Sequence, residues 1–139
     1  MGVAKRLSRK WNPFFAAEFL TDFSTLVAGA EATNVVTVTG QLKDQMGNNL
    51  TRRTWVQVWL SNSGTTAAII TTAPSGGGAI SGGFGSFLGQ PVANKIYDVI
   101  TDAAGKFAIA FTEAGALTAF LWMRDAAGQL KVSNQLTWT

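Results

Sequence analysis

From Asn34 onward the chain alternates apolar and polar residues with a period of two. Val36, Val38 and Leu42 alternate with Thr37, Thr39 and Gln41, and Val56, Val58 and Leu60 alternate with Trp55, Gln57 and Trp59. Successive side chains of a strand point to opposite faces, so each such run predicts a strand with one core-facing side. Seven runs are read this way: 34–42, 53–61, 65–72, 95–101, 107–112, 117–124 and 131–138. The run Thr65–Thr72 enters on its β-branched residues. Three Asp-x-x-Gly signals, Asp44–Gly47, Asp102–Gly105 and Asp125–Gly128, each separate two stretches of alternation. Aspartate at the first position bonds back to the following amides and glycine supplies a positive φ, so each marks a tight turn. Short strands joined this way predict an all-β, immunoglobulin-like antiparallel sandwich of about seven strands over residues 31–139.

Before Asn34 the period is different. Asn12 followed by Pro13 has the form of a helix start, with asparagine as cap and proline at the first helical position. Phe15, Phe19, Phe23 and Leu26 then recur at spacings of four, four and three, with Ala16, Leu20 and Val27 beside them. That is one helical stripe of about four turns, expected to end near Gly29. Residues 1–30 are therefore expected to form a docking unit, a basic arm followed by a short amphipathic helix. Two destinations stay open for the phenylalanine stripe: one side of the sandwich, or a neighbouring subunit.

Charge sharpens this division. Lys5, Arg6, Arg9 and Lys10 carry +4, leaving seven basic against eight acidic residues, or −1, for the other 129 positions. A nucleic-acid-binding domain spreads its cations over a face or groove, so nucleic acid is disfavoured as a partner. An acidic protein surface suits the basic head better.

The outward side of the strands carries more apolar mass than water-facing positions call for. Charged residues make up 14% of the chain, against about 25% in an ordinary soluble protein. Trp55 and Trp59 on one strand, and Phe120 and Trp122 on another, occupy the face opposite the predicted core. Burying each such side chain is worth roughly 1.5–3 kcal/mol. Either the N-terminal helix or a partner chain is expected to cover them, which predicts an oligomer or a stable docked complex. Residues 74–91 hold seven glycines and read as one long loop. Ile80, Phe84, Phe87 and Leu88 make it too apolar for simple disorder, so it is expected to gain order on a neighbour.

Chemistry finds little purchase. The chain has no histidine and no cysteine, so serine lacks its usual base, and no Gly-x-Ser-x-Gly elbow occurs. The glycine-rich stretch lacks the closing Gly-Lys-Ser/Thr of a phosphate loop. Of eight carboxylates, Asp44, Asp102 and Asp125 are accounted for by their turns. Asp98 and Asp102 sit on a strand and its adjoining turn and need not converge as a glycosidase pair. Asp44, Asn48 and Asn49 lack the alternate carboxylates and terminal glutamate of a calcium loop. The expectation is a non-enzymatic chain with no cofactor and no metal. A signal peptide is not expected either, because Asn12–Pro13, Glu18 and Asp22 interrupt its apolar run. No stretch approaches the roughly 18 apolar residues of a membrane span.

Four segments carry a family resemblance: NVVTVTGQLKDQMGNNL at Asn34–Leu50, VQVWLS at Val56–Ser61, TDAAGKFAIAFTEAGALTAFLW at Thr101–Trp122 and RDAAGQLKVSNQLTW at Arg124–Trp138. Together they resemble bacterial Ig-like domains of the invasin type, and more particularly the small Ig-like structural proteins of tailed bacteriophages. The resemblance covers residues 34–139; the segment before residue 30 and the glycine-rich insert at 74–91 depart from it. It implies a virion part, most simply a capsid decoration or cement subunit partnered by the major capsid protein or other virion proteins, with no catalytic residues to carry over. In that expectation residues 1–28 dock, with Lys5, Arg6, Arg9 and Lys10 on acidic shell and Phe15, Phe19 and Phe23 as apolar anchor. Trp55, Trp59, Phe84, Phe87, Phe120 and Trp122 complete the expected contact set. A neck or tail component, or a carbohydrate-binding adhesion module stacking sugars on Trp55, Trp59 and Trp122, are the alternatives.

Overall fold

The alternating runs become strands in a computed structural model that describes residues 23–139. In chain order these are β1 (Thr25–Ala28), β2 (Val35–Gln41), β3 (Trp55–Ser61), β4 (Gly77–Ile80) and β5 (Ser86–Val92). They continue as β6 (Ile96–Ile100), β7 (Lys106–Thr112), β8 (Leu117–Arg124), β9 (Leu130–Val132) and β10 (Leu136–Trp138). One sheet has the order β1-β2-β7-β4 and the other β10-β8-β3-β6-β5, with β9 also on β8. All pairings are antiparallel. Four strands thus face six in an immunoglobulin-like sandwich, β9 and β10 sharing the edge beside β8.

The inward faces are the ones the alternation marks. Val36 and Val38 of β2, Val56, Val58 and Leu60 of β3, and Phe107, Ile109 and Phe111 of β7 are fully buried. Tyr97, Val99, Leu121, Met123, Leu136 and Trp138 join them in one cluster. Packing here is by shape as well as polarity: a Cβ on Gly40 of β2 would lie 2.2 Å from the Phe107 ring. The glycine is the space that the phenyl ring fills.

The three Asp-x-x-Gly turns are built alike. In each the glycine N–H donates to the aspartate carbonyl, at 3.0, 3.1 and 3.0 Å for Gly47, Gly105 and Gly128. Each glycine has a φ between +70° and +85°. One carboxylate oxygen of each aspartate accepts two backbone N–H groups, as Asp102 does from Ala104 and Lys106 at 2.9 Å each. All three turns lie at the same end of the sandwich, because Gln41 faces Lys106, Trp55 faces Ile100 and Gln57 faces Arg124. Thr25 pairs with Gln41, so β1 begins at that end too.

Four expectations are corrected. Residues 25–28, assigned above to the last turn of a helix, are strand β1: Leu26 and Ala28 are buried while Val27 is exposed. A spacing of three between Phe23 and Leu26 cannot separate the two periods over so short a run, and pairing with β2 decides for strand. The rest of that helix, and the basic arm, fall within residues 1–22, outside the described residues. Thr65–Thr72 is not a strand but an irregular segment. The glycine-rich 74–91 is not one loop but contains β4 and most of β5, with Gly82, Gly83 and Gly85 at positive φ turning the chain between them. The last run, 131–138, is split into β9 and β10. At the break Ser133 keeps the ladder going with its side chain: its N–H donates to the Leu121 carbonyl, and its Oγ accepts from the Leu121 N–H.

One side of the sandwich is closed by a side chain. Asn134, at the β9–β10 break, accepts from the Ala28 N–H at 2.8 Å and donates to the Ala28 carbonyl at 2.9 Å. Its amide thus imitates a backbone partner for β1 and joins the two sheets.

Candidate functional site

The outer face of the larger sheet is the richest surface among the described residues, and strand register assembles it in rows. Opposed residues on paired strands share a face. Trp55 of β3 opposes Ile100 of β6. One row along, Gln57 lies between Asp98 of β6 and Arg124 of β8. In the next row, Trp59 lies between Ile96 and Trp122.

The middle row is hydrogen-bonded end to end. Arg124 Nη2 donates to Gln57 Oε1 at 2.7 Å, and Gln57 Nε2 donates to Asp98 Oδ1 at 3.0 Å. Two hollows flank this row. One, of about 300 Å³, is lined by Trp55, Arg124 and the turn Asp125–Gly128. The other, of about 210 Å³, is lined by Gln57, Trp59, Ala67, Ile69, Ile96 and Arg124. Arg124 borders both.

The aromatic cover predicted from a helix or a partner comes from a third source, the segment that follows β3. Trp59 Nε1 donates to the Ala67 carbonyl and Trp122 Nε1 to the Ser63 carbonyl, both at 2.9 Å. Ser61 and Ser63 side chains brace that segment through Thr66 and Thr65. Trp59 and Trp122 are consequently only 8% and 9% exposed. Their indole N–H groups are satisfied internally, as buried ones need to be. Trp55 and Phe120 stay half-buried, Phe120 with its ring against Gly64.

Phe84 and Phe87 also find partners within the chain. Lys106 Nζ lies 3.8 Å from the centre of the Phe84 ring, a cation–π contact. Phe87 stacks on Tyr97 with ring centres 4.9 Å apart. Both rings are thus held within the chain itself, Phe87 on β5 and Phe84 under Lys106, and both stay half-buried. Phe23 is different. It is 51% exposed at the Asp44–Gly47 turn, near the 84% exposed Met46. Lys5, Arg6, Arg9, Lys10, Phe15 and Phe19 lie outside the described residues. Sequence reasoning missed Gln57, Asp98 and Arg124 as a unit. A polar residue between Trp55 and Trp59 was visible, but nothing local says which strands flank β3.

No group of three or more candidate metal-ligating side chains comes together among the described residues. Nor does any helix among them have the length and apolarity to cross a membrane. Tyr97 and Glu113, among the described residues, have displaced pKa values. Burial pushes the Tyr97 hydroxyl up, against a smaller opposing pull from the Gly78 backbone. That approach falls short of hydrogen-bond geometry, and the hydroxyl has no partner. Glu113 is held below the usual carboxylate range by the N–H groups of Gly115 and Ser75.

No family model matches the chain, and no curated protein matches it. Among solved structures it is similar to the D00-D0 domain of intimin, at 12% identity and a TM-score of 0.46. That match covers 83% of this chain, which spans 46% of the intimin chain.

Proposed function

We propose that the chain is a non-enzymatic virion structural protein, a capsid decoration subunit that docks through residues 1–22 and displays its Ig-like sandwich. The observation behind this is a division of labour along the chain. From Ser24 onward the strands close on their own core, down to a fully buried Trp138. Ahead of them, 22 residues hold Lys5, Arg6, Arg9, Lys10, Phe15 and Phe19. That segment joins the sandwich beside the exposed Phe23 and Met46. A basic and aromatic segment next to an exposed apolar rim has the composition of an anchor for an acidic, partly apolar surface such as a shell. The resemblance of residues 34–139 to Ig-like phage structural proteins supports the virion setting. A neck or tail position shares this physics.

The test is co-sedimentation with the particle, comparing the full chain with a version lacking residues 1–22. The full chain should pellet with particles. The shortened chain should stay in the supernatant while keeping its cooperative unfolding transition. Equal pelleting of both would refute docking through this segment.

A further inference from the structure

We propose that the outer face of the larger sheet is a binding trough for a neutral, hydroxyl-rich pyranose saccharide. Asp98, Gln57 and Arg124 form its floor, Trp55 one wall, and Ile96 and Ile69, beside the covered Trp59, the other. The inference goes beyond the docking role and does not depend on it.

Geometry comes first. Trp55 and Trp59 are four residues apart on β3, which sets them about 13 Å apart along the strand. The polar row runs between them, across β6, β3 and β8. A span of that order accommodates one sugar ring over the floor, its chain crossing the strands. Trp55, half-buried and bordering the larger hollow, offers an apolar surface to the C–H side of a pyranose. Ile96 and Ile69 extend the opposite wall.

The floor is matched to hydroxyl groups. A vicinal diol both donates and accepts, so it needs acceptors and donors side by side. Asp98 has acceptor capacity beyond its one bond from Gln57, the Gln57 amide has a second N–H, and the Arg124 guanidinium has N–H groups beyond Nη2. The two internal hydrogen bonds hold all three side chains in place before any ligand arrives. A pre-ordered site loses less side-chain freedom on binding.

Charge selects against other ligands. Arg124 and Asp98 balance through Gln57, so the row has no net charge. A polyanion would need several uncompensated cations, and this row supplies none. Binding should therefore be insensitive to salt. The other occupant of such a face, a protein partner, is a distinguishable result below.

The test is affinity electrophoresis of the full chain through gels containing soluble neutral glucan, mannan or galactan. At least one should retard it, equally at about 0.05 and 0.5 M NaCl. Trp55→Ala should weaken that retardation about tenfold and Trp55→Phe much less, with Gln57→Ala as a second, smaller lesion. Thr37→Ala, on the opposite sheet, should change nothing. Denaturation midpoints establish that each variant is folded, and Gln57→Ala carries the comparison if Trp55→Ala is not. Three results would overturn the proposal: no retardation by any of the three polysaccharides, retardation lost in high salt, or retardation unaffected by Trp55→Ala and Gln57→Ala. A face that captures virion protein but none of the polysaccharides gives the first of these. Removing residues 1–22 should leave retardation intact, so failure of the saccharide site and failure of the docking role read out separately.

Discussion

Gly40 and Tyr97 show how single positions in this core are set by space and by polarity. Gly40 faces inward on β2 because Phe107 occupies the volume where its side chain would be. Gly40→Ala puts a methyl into the ring, and overpacking of this kind costs about 1–3 kcal/mol. Urea denaturation of Gly40→Ala, Phe107→Leu and the double variant measures the coupling. The double variant should recover part of the loss, and strict additivity would show that the ring is not what the methyl meets. Tyr97 is the converse case. Its ring is held between Phe87 and Phe111, 4.9 and 5.9 Å away, but its hydroxyl is buried without a partner. Leaving a buried polar group unpaired costs roughly 1–3 kcal/mol. Tyr97→Phe removes that cost and keeps the ring, so stability should be unchanged or higher. A clear loss of stability would mean that the hydroxyl is bonded after all.

Among the elements, those with a local signature were legible and those made by distant partners were not. The Asp-x-x-Gly turns follow from side chain and φ alone, and all three form with the same bonds. β2, β3, β6, β7 and β8 alternate over five residues or more, long enough for the period to be unambiguous. The failures have one cause. Thr65–Thr72 has strand-forming residues, but after β3 the chain spends its carbonyls on the indoles of Trp59 and Trp122, and that tertiary demand outweighs propensity. β4 and β5 are glycine-rich pieces that become strands because β7 and β6 offer open edges. The Asp98–Gln57–Arg124 row was invisible for the same reason: only register makes it. Glu113 gives an element-scale prediction. It ties the β7–β8 connection to Ser75 by accepting from Ser75 N–H at 2.7 Å and Gly115 N–H at 2.9 Å. Its pKa is lowered in the folded protein, so its contribution is present above the unfolded value of about 4.3. That contribution is lost as pH falls through the lower folded value. Glu113→Gln should therefore narrow the stability difference between neutral and strongly acidic solution. An unchanged pH profile would show that the turn does not depend on the charge.

For the whole molecule, the boundary between anchor and sandwich can be placed by cutting the chain at two points. The sequence put residues 25–28 with the anchor; the structure makes them β1, which changes what a truncation does. Removing 1–22 leaves β1 paired with β2 and leaves the Asn134 amide bonded to Ala28. Removing 1–28 strips both at once. It takes away Leu26 and Ala28 from the core, bares the edge of β2, and abandons the Asn134 side chain at the seam between sheets. Losing the Leu26 burial alone is worth a few kcal/mol on the scale of core truncations, before the open edge adds a tendency to pair with other chains. The 23–139 fragment should therefore unfold near the full-length midpoint and remain monomeric in light scattering, since Trp59, Trp122 and Trp138 are already covered from within. The 29–139 fragment should unfold much earlier and associate. If both fragments unfold alike, β1 is an appendage, and Asn134 does not join the sheets as its two short hydrogen bonds imply.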